Sequence, residues 1–328
     1  MVLAQSLFKT LKLQQPDIII DVAAPAWTLP LLARMPEVNE AIALPFRHGQ
    51  FALRERLRFG KSLKARGYSR AIVLPNSLKS ALLPWAASIP HRTGFVGEWR
   101  YGLLNDVRRL DRQALPRTVD RFVALGLEPE LALPSALPQP SLAAKPDLAL
   151  QALHRLGYDK PTTSVLGLCP GAEYGEAKRW PAEYYAEVAT AALEKGWQVW
   201  LFGSEKDATV TAQIDTLTGK RCLDLGGRTT LGEAIDLMAL TSAVVSNDSG
   251  LMHVAAALDK PLVAIYGSSD PHHTPPMSPQ AVILYLGLPC SPCFQRQCPL
   301  THLNCLRQLQ PAQIVTRIPL YENIEEGN

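Results

Sequence analysis

The chain has 328 residues, 33 basic against 30 acidic side chains for a formal charge of +3, and 47% hydrophobic residues. That composition excludes a disordered or fibrous protein and fits two domains, each large enough to close its own core. A charge so near balance gives no general attraction to nucleic acid. No apolar run reaches the roughly eighteen residues of a membrane span, and the first residues lack the regions of a signal peptide, so a cytoplasmic protein is expected.

Met1 to Leu13 is helical in pattern, with apolar residues at 3, 4, 7, 8 and 11. Strands follow at Ile18 to Ala23, Ala41 to Leu44 and Ala71 to Leu74, with helical patterns at Trp27 to Met35, Phe51 to Ala65 and Ser77 to Ser88. Residues 1–126 read as a first α/β domain. Prolines at 129, 134, 138, 140 and 146 then interrupt any regular element, so 127–146 reads as a linker. The second domain, 147–328, opens with a short helix from Asp147 to Leu156. It continues as a strict alternation: strands at Ser164 to Cys169, Gln198 to Phe202, Arg221 to Leu225, Ala243 to Ser246 and Leu262 to Tyr266, separated by helices at Pro181 to Lys195, Lys206 to Thr218, Leu231 to Leu240 and Leu251 to Leu258. Such a series predicts a doubly wound parallel sheet, whose ligands bind beyond the carboxyl ends of the strands. Two such α/β domains are expected to face one another across a cleft.

The loops after the strands carry the candidate chemistry. Ser246-Asn247-Asp248-Ser249-Gly250-Leu251-Met252-His253 joins an apolar strand to an apolar helix. Small residues there admit close approach, and the amides and dipole of a helix start suit a diphosphate. Asp248 or Ser249 would also serve as an ordinary helix cap, and His253 lies one turn further along, on the side facing back to the loop. Pro170-Gly171-Ala172-Glu173 runs on to Lys178-Arg179-Trp180-Pro181, a glycine-bearing loop ending in two cations, either of which could neutralise a phosphate. Phe202-Gly203-Ser204-Glu205 places a carboxylate at a third strand end, for a ribose or base or simply for the dipole of a helix start. Each segment alone has a bland explanation, and their convergence on one crevice is what points to a site. In the first domain, Asn76, Lys79, Arg92 and Arg100 stand at expected loop positions and could hold an anionic sugar. Dinucleotide, Walker, zincin and serine-hydrolase motifs are all missing from the sequence.

Of six cysteines, Cys169 and Cys222 read as buried strand residues. Cys290, Cys293, Cys298 and Cys305 crowd together with spacing C-x2-C-x4-C-x6-C. Four thiolates so close would hold a structural zinc, although reduced thiols or one disulfide would equally suit a loop.

With those motifs in hand the sequence resembles the ADP-heptose:lipopolysaccharide heptosyltransferases of the inner core. The carriers are Ala24-Pro25-Ala26-Trp27, Leu32-Ala33-Arg34-Met35-Pro36-Glu37-Val38, Leu74-Pro75-Asn76-Ser77, Ile89-Pro90-His91-Arg92-Thr93-Gly94 and Arg100-Tyr101-Gly102-Leu103-Leu104-Asn105-Asp106, together with the two loops around Lys178 and His253. The resemblance implies two Rossmann-like domains in the GT-B arrangement, with the extreme C-terminus packing back on the first. It further implies an ADP-heptose donor in the second domain, an acceptor such as heptosyl-Kdo2-lipid A in the first, inversion at the anomeric carbon, and no required cofactor. By position, Lys178 matches a phosphate-binding lysine that stabilises the leaving group, and Asp248, Ser249, Gly250 and His253 match diphosphate and sugar contacts. Glu205 matches a donor-site glutamate, and Thr229, Thr230 and Leu231 lie beside the adenine. Asn76, Lys79, Arg92 and Arg100 would meet the acceptor. The family's base aspartate would precede Met1 together with a first strand, so a gap in the first domain's sheet is expected, and the catalytic base is not assigned. A monomer in peripheral contact with the cytoplasmic face of the inner membrane of a Gram-negative bacterium is implied, without nucleic acid. Two other readings stay open: a nucleotide-binding chain without turnover, and another nucleotide-sugar enzyme of the same two-domain design.

Overall fold

The structure is a computed structural model that describes residues 1–46 and 49–319. It divides into two compact units, one running from Leu3 to Pro140 and the other from Ser141 onward. The expected return of the extreme C-terminus falls on residues 320–328, outside the described residues.

In the first unit α1 (Gln5–Gln14) is followed by β1 (Asp21–Pro25), α2 (Leu29–Leu32), β2 (Glu40–Leu44), α3 (Leu53–Leu63), β3 (Arg70–Ile72), α4 (Leu78–Ala86), β4 (His91–Phe95), β5 (Asp106–Arg108) and α5 (Thr118–Ala124). Every strand pair is parallel, yet the five strands make two sheets, β1-β2 and β3-β4-β5. A side-chain bond bridges them: Tyr68, just before β3, donates to Asp21 of β1 at 2.6 Å, and burial followed by that carboxylate pushes its phenol up to about 12. Helices α3 and α4 approach closely at Gly60, where a Cβ would lie 2.6 Å from that of Ala86.

Sequence reasoning placed His91 to Gly94 in a loop, and that is corrected here. The segment is β4, and Asp106–Arg108 is a further strand beside it. Charged residues break the apolar alternation by which strands are recognised. They are accommodated because Thr93 donates to Asp106 at 2.9 Å and Arg108 pairs with the same carboxylate at 2.9 Å. The hydrogen bond from Arg108 is the main reason that this carboxyl sits below its ordinary range.

The second unit contains α6 (Pro146–Arg155), β6 (Val165–Cys169), α7 (Ala182–Glu194), β7 (Gln198–Leu201), α8 (Ala208–Leu217), β8 (Leu223–Asp224), α9 (Leu231–Met238), β9 (Ala243–Asn247), α10 (Gly250–Ala257), β10 (Leu262–Ile265), β11 (Ala281–Leu284), α11 (Asn304–Arg307) and α12 (Pro311–Val315). Its six strands form one parallel sheet in the order β11-β10-β9-β6-β7-β8. The central strands β6, β9 and β10 are wholly buried, which is why β6 and β10 are continuous apolar runs, while β9 is apolar up to the Ser246-Asn247 that opens its loop. The edge strand β11 is partly exposed; its Ala281-Val282-Ile283-Leu284 is an apolar run as well, which sequence reasoning did not mark as a strand. Cys169 is buried in β6 as expected, whereas Cys222 lies just outside β8 with its Sγ 3.3 Å from Thr218 Oγ1.

Much of the core packs around Trp180. Its ring meets Tyr185 edge-on at 5.0 Å, and its indole N–H donates to Leu309 O at 2.9 Å. Since Trp180 directly follows the Lys178-Arg179 pair, the burial of this indole anchors the loop after β6.

Candidate functional site

Strand β6 lies at the centre of the sheet, with β7 and β8 on one side and β9, β10 and β11 on the other. The loops leaving β6 and β9 therefore separate at the topological switch point, where open parallel sheets bind ligands. Lys178 from the first loop and Asp248 from the second meet there in an ion pair at 2.5 Å. The two side chains are 18% and 7% exposed, so solvent screens the pair only weakly.

Asn247 holds the two loops in register. Its Oδ1 accepts from Trp180 N at 3.1 Å and from the Tyr185 hydroxyl at 3.0 Å, while its Nδ2 donates to Pro170 O at 2.7 Å. The side chain is fully buried, and removing it would take a partner from Trp180 N and Pro170 O and leave the Tyr185 hydroxyl only its bond to Cys169 O at 3.3 Å. Asn247 belongs to the motif read from the sequence, but its positioning role becomes visible only in the fold.

Ser249 is the cap of α10: its Oγ lies 3.5 Å from Met252 N and 3.2 Å from Ser246 Oγ. A Cβ on Gly250 would meet nothing within 4 Å, so no side chain crowds the start of α10. His253 follows with Nδ1 buried and without a hydrogen-bond partner among the described residues. Burial lowers its pKa to about 4, with Asp248 pulling in the opposite direction, so the ring is neutral near pH 7. The ring is thus neutral, with one enclosed nitrogen left to be satisfied.

On the β7 side, Glu205 starts the turn Glu205–Asp207 and is exposed. The loop after β7 is locked to its neighbours: Gly227 N donates to Gly203 O at 3.0 Å, and a Cβ on Gly171 would lie 2.4 Å from the Asp207 carboxyl carbon. Arg179 faces Asp207 at 3.7 Å, while Lys206 pairs with Glu173. Thr230 caps α9 in a reciprocal box with Glu233, so its hydroxyl is engaged in holding the helix start. Thr229 and Leu231 flank it, half-buried.

Two residues that sequence reasoning missed belong to this group. Ser268 and Ser269 follow β10, and both hydroxyls are buried without a partner among the described residues. The signal was present, since Gly267-Ser268-Ser269 is again a run of small residues directly after an apolar strand.

In the first unit Arg100 corrects an expectation. It is 1% exposed, and its guanidinium donates to Phe95 O at 2.6 Å, Pro75 O at 2.6 Å, Ser80 Oγ at 3.1 Å and Asn76 Oδ1 at 3.3 Å. Its donors are spent on the protein, so it fastens the loops around α4 rather than receiving an acceptor. Arg92, in β4, likewise donates to Leu103 O at 2.7 Å and Ile89 O at 2.5 Å. Asn76 is exposed and Lys79 half-buried near the start of α4.

Cys290, Cys293, Cys298 and Cys305 line one enclosed space of about 20 Å3 together with His302. No group of three or more His, Cys, Asp or Glu side chains among the described residues is arranged to hold a metal ion, and all four of these cysteines are free thiols, one of the alternatives that the spacing left open. His302 Nδ1 accepts from Asn304 N at 3.0 Å, and burial, followed by the neighbouring Cys290, Cys293 and Cys298 thiols, raises the pKa of the Cys305 thiol.

A doubly wound parallel sheet, with small-residue and cation-bearing loops gathered at its switch point, defines a nucleotide-binding α/β enzyme. Comparison with known proteins narrows the class. The family model described as glycosyltransferase family 9 (heptosyltransferase) matches residues 56–304. Lipopolysaccharide heptosyltransferase 2 of Salmonella typhimurium is 49% identical over 87% of this chain and 84% of its own length. Lipooligosaccharide heptosyltransferase 2 of Haemophilus influenzae is 46% identical over 87% and 85%. The solved structure of ADP-heptose LPS heptosyltransferase II from E. coli superposes with a TM-score of 0.86 at 42% identity, over 97% of this chain and 94% of that one. The chain belongs to glycosyltransferase family 9, the heptosyltransferases, and its fold is of the GT-B type.

Proposed function

We propose that this enzyme transfers heptose from ADP-heptose to the heptosyl-Kdo2-lipid A inner core of lipopolysaccharide, with inversion, and that its second unit holds the donor. The observation that carries the donor site is the meeting of Lys178, Asp248 and the open start of α10 at the switch point, with His253 presenting an unsatisfied ring nitrogen beside them. Lys178 and the α10 amides stabilise the charge that develops as ADP departs. Asp248 holds the lysine in place, and neutral His253 bonds a phosphate or sugar oxygen. On the β7 and β8 side Glu205 and the 229–231 stretch take the nucleoside. No residue of this chain is assigned the acceptor proton. These roles need neither metal nor cofactor.

The acceptor, which we place on the first unit near Asn76 and Lys79, is lipid-linked, so the reading implies peripheral contact with the inner membrane. No helix among the described residues is long and apolar enough to cross it. The direct test is a transfer assay with ADP-heptose and heptosyl-Kdo2-lipid A, read by mass spectrometry of the lipid. A mass increase of one heptose is expected with the ADP donor. Transfer from UDP- or GDP-sugars in preference to ADP-heptose would overturn the assignment.

A further inference from the structure

We infer that residues 294–299 build the outer wall of the pocket that receives the donor's sugar, and that Arg296 helps to select that sugar; this rests on the donor site proposed above. An open cavity of about 770 Å3 is lined by residues 174–176, in the loop after β6, and residues 294–299, ample room for a sugar ring.

The two loops are fastened through the main chain. Ala177 N donates to Arg296 O at 3.0 Å, and Phe294 N donates to Ser268 O at 2.7 Å. Gly175 (φ +152°) approaches Arg296 so closely that a Cβ would lie 2.4 Å from its carbonyl oxygen. The Tyr174 hydroxyl donates to Phe294 O at 2.5 Å. The wall therefore continues the loops after β6 and β10, on the opposite side of β6 from β7 and β8, whose loops carry Glu205 and the 229–231 stretch.

Tyr174 ties the cavity to the diphosphate grip. Its ring centre is 5.1 Å from Lys178 Nζ and 5.3 Å from the Arg296 guanidinium. A diphosphate bound at Lys178 would thus deliver its next group to a space one aromatic ring away. The chemistry of the lining suits a polyhydroxylated ring. Tyr174 and Phe294, 39% and 53% exposed, offer faces to C–H groups. Gln295, Gln297, Glu176 and the Arg296 fork supply donors and acceptors for neighbouring hydroxyls. A lipid tail would meet too many polar groups here. The adenine has its own place on the other side.

The test separates the sugar from its nucleotide. ADP and ADP-heptose are titrated calorimetrically into the wild type, Arg296→Ala, Arg296→Lys and Phe294→Ala. Expected is an unchanged ADP affinity throughout, a loss of about tenfold in ADP-heptose affinity for Arg296→Ala, partial recovery in Arg296→Lys, and a loss in Phe294→Ala. Equal weakening of both ligands would assign the loop a structural role and overturn the inference. So would an unchanged ADP-heptose affinity, or an effect confined to the KM of the lipid acceptor. If the wild type binds neither nucleotide, the donor site itself is wrong.

Discussion

Lys178 is the residue on which the leaving-group argument turns. Its Nζ is held by Asp248 and covered by Tyr174, so its loss removes charge stabilisation without opening the core. Lys178→Ala is expected to lower kcat about 100-fold and, because it leaves the buried Asp248 carboxylate without its partner, to lower the unfolding midpoint as well, as measured by steady-state transfer and thermal denaturation. Wild-type turnover in this variant would exclude it from the site. His253 gives a prediction of opposite kind. Its folded pKa, about 4, lies below the ordinary histidine value of 6.5, so between these two pH values the unfolded chain binds more protons. The contribution is fully present above pH 6.5 and is lost as pH falls toward 4. At pH 5 the second unit should lose roughly 1–2 kcal/mol relative to pH 7, and His253→Asn should remove that part of the slope in urea titrations. A bound diphosphate favours the charged ring, so donor binding near pH 5 should take up a proton. Both residues were legible in the sequence because each sits in a short polar segment between an apolar strand and an apolar helix. Ser268 and Ser269 show the same signal. Arg100 misled because a sequence does not reveal that a guanidinium is consumed by carbonyls from its own unit.

At the scale of elements, the loops after β6 and β9 work as one piece because Asn247 bonds Trp180, Tyr185 and Pro170 together. Asn247→Ala is expected to cost about 2–3 kcal/mol in chemical denaturation and to weaken ADP binding as well, since the loops lose their common anchor. A variant that kept full donor affinity would show that the loops hold their shape independently. The strands and helices of the second unit were readable because a sheet covered on both faces demands continuous apolar strands and amphipathic helices between them. In the first unit β4 and β5 escaped, since His91, Arg92, Asp106 and Arg108 interrupt the apolar pattern, and Asp106 is matched only in the fold, by Thr93 from the neighbouring strand and by Arg108 along its own.

For the whole molecule, the two units are built to different standards. The second concentrates its strands in one six-stranded sheet, whereas the first divides five among sheets of two and three, so fewer of its strands are protected on both sides. Native-state hydrogen exchange should accordingly show slowest exchange at β6, β9 and β10, and faster exchange throughout β1 to β5. Equal protection in both units would contradict that ordering. The central claim is that the switch point of the second unit grips the donor's diphosphate. The most direct measurement is a crystal structure of the chain with ADP-heptose: the account predicts phosphate oxygens within hydrogen-bond distance of Lys178 Nζ and the first α10 amides. A donor found with its diphosphate away from both groups would contradict it.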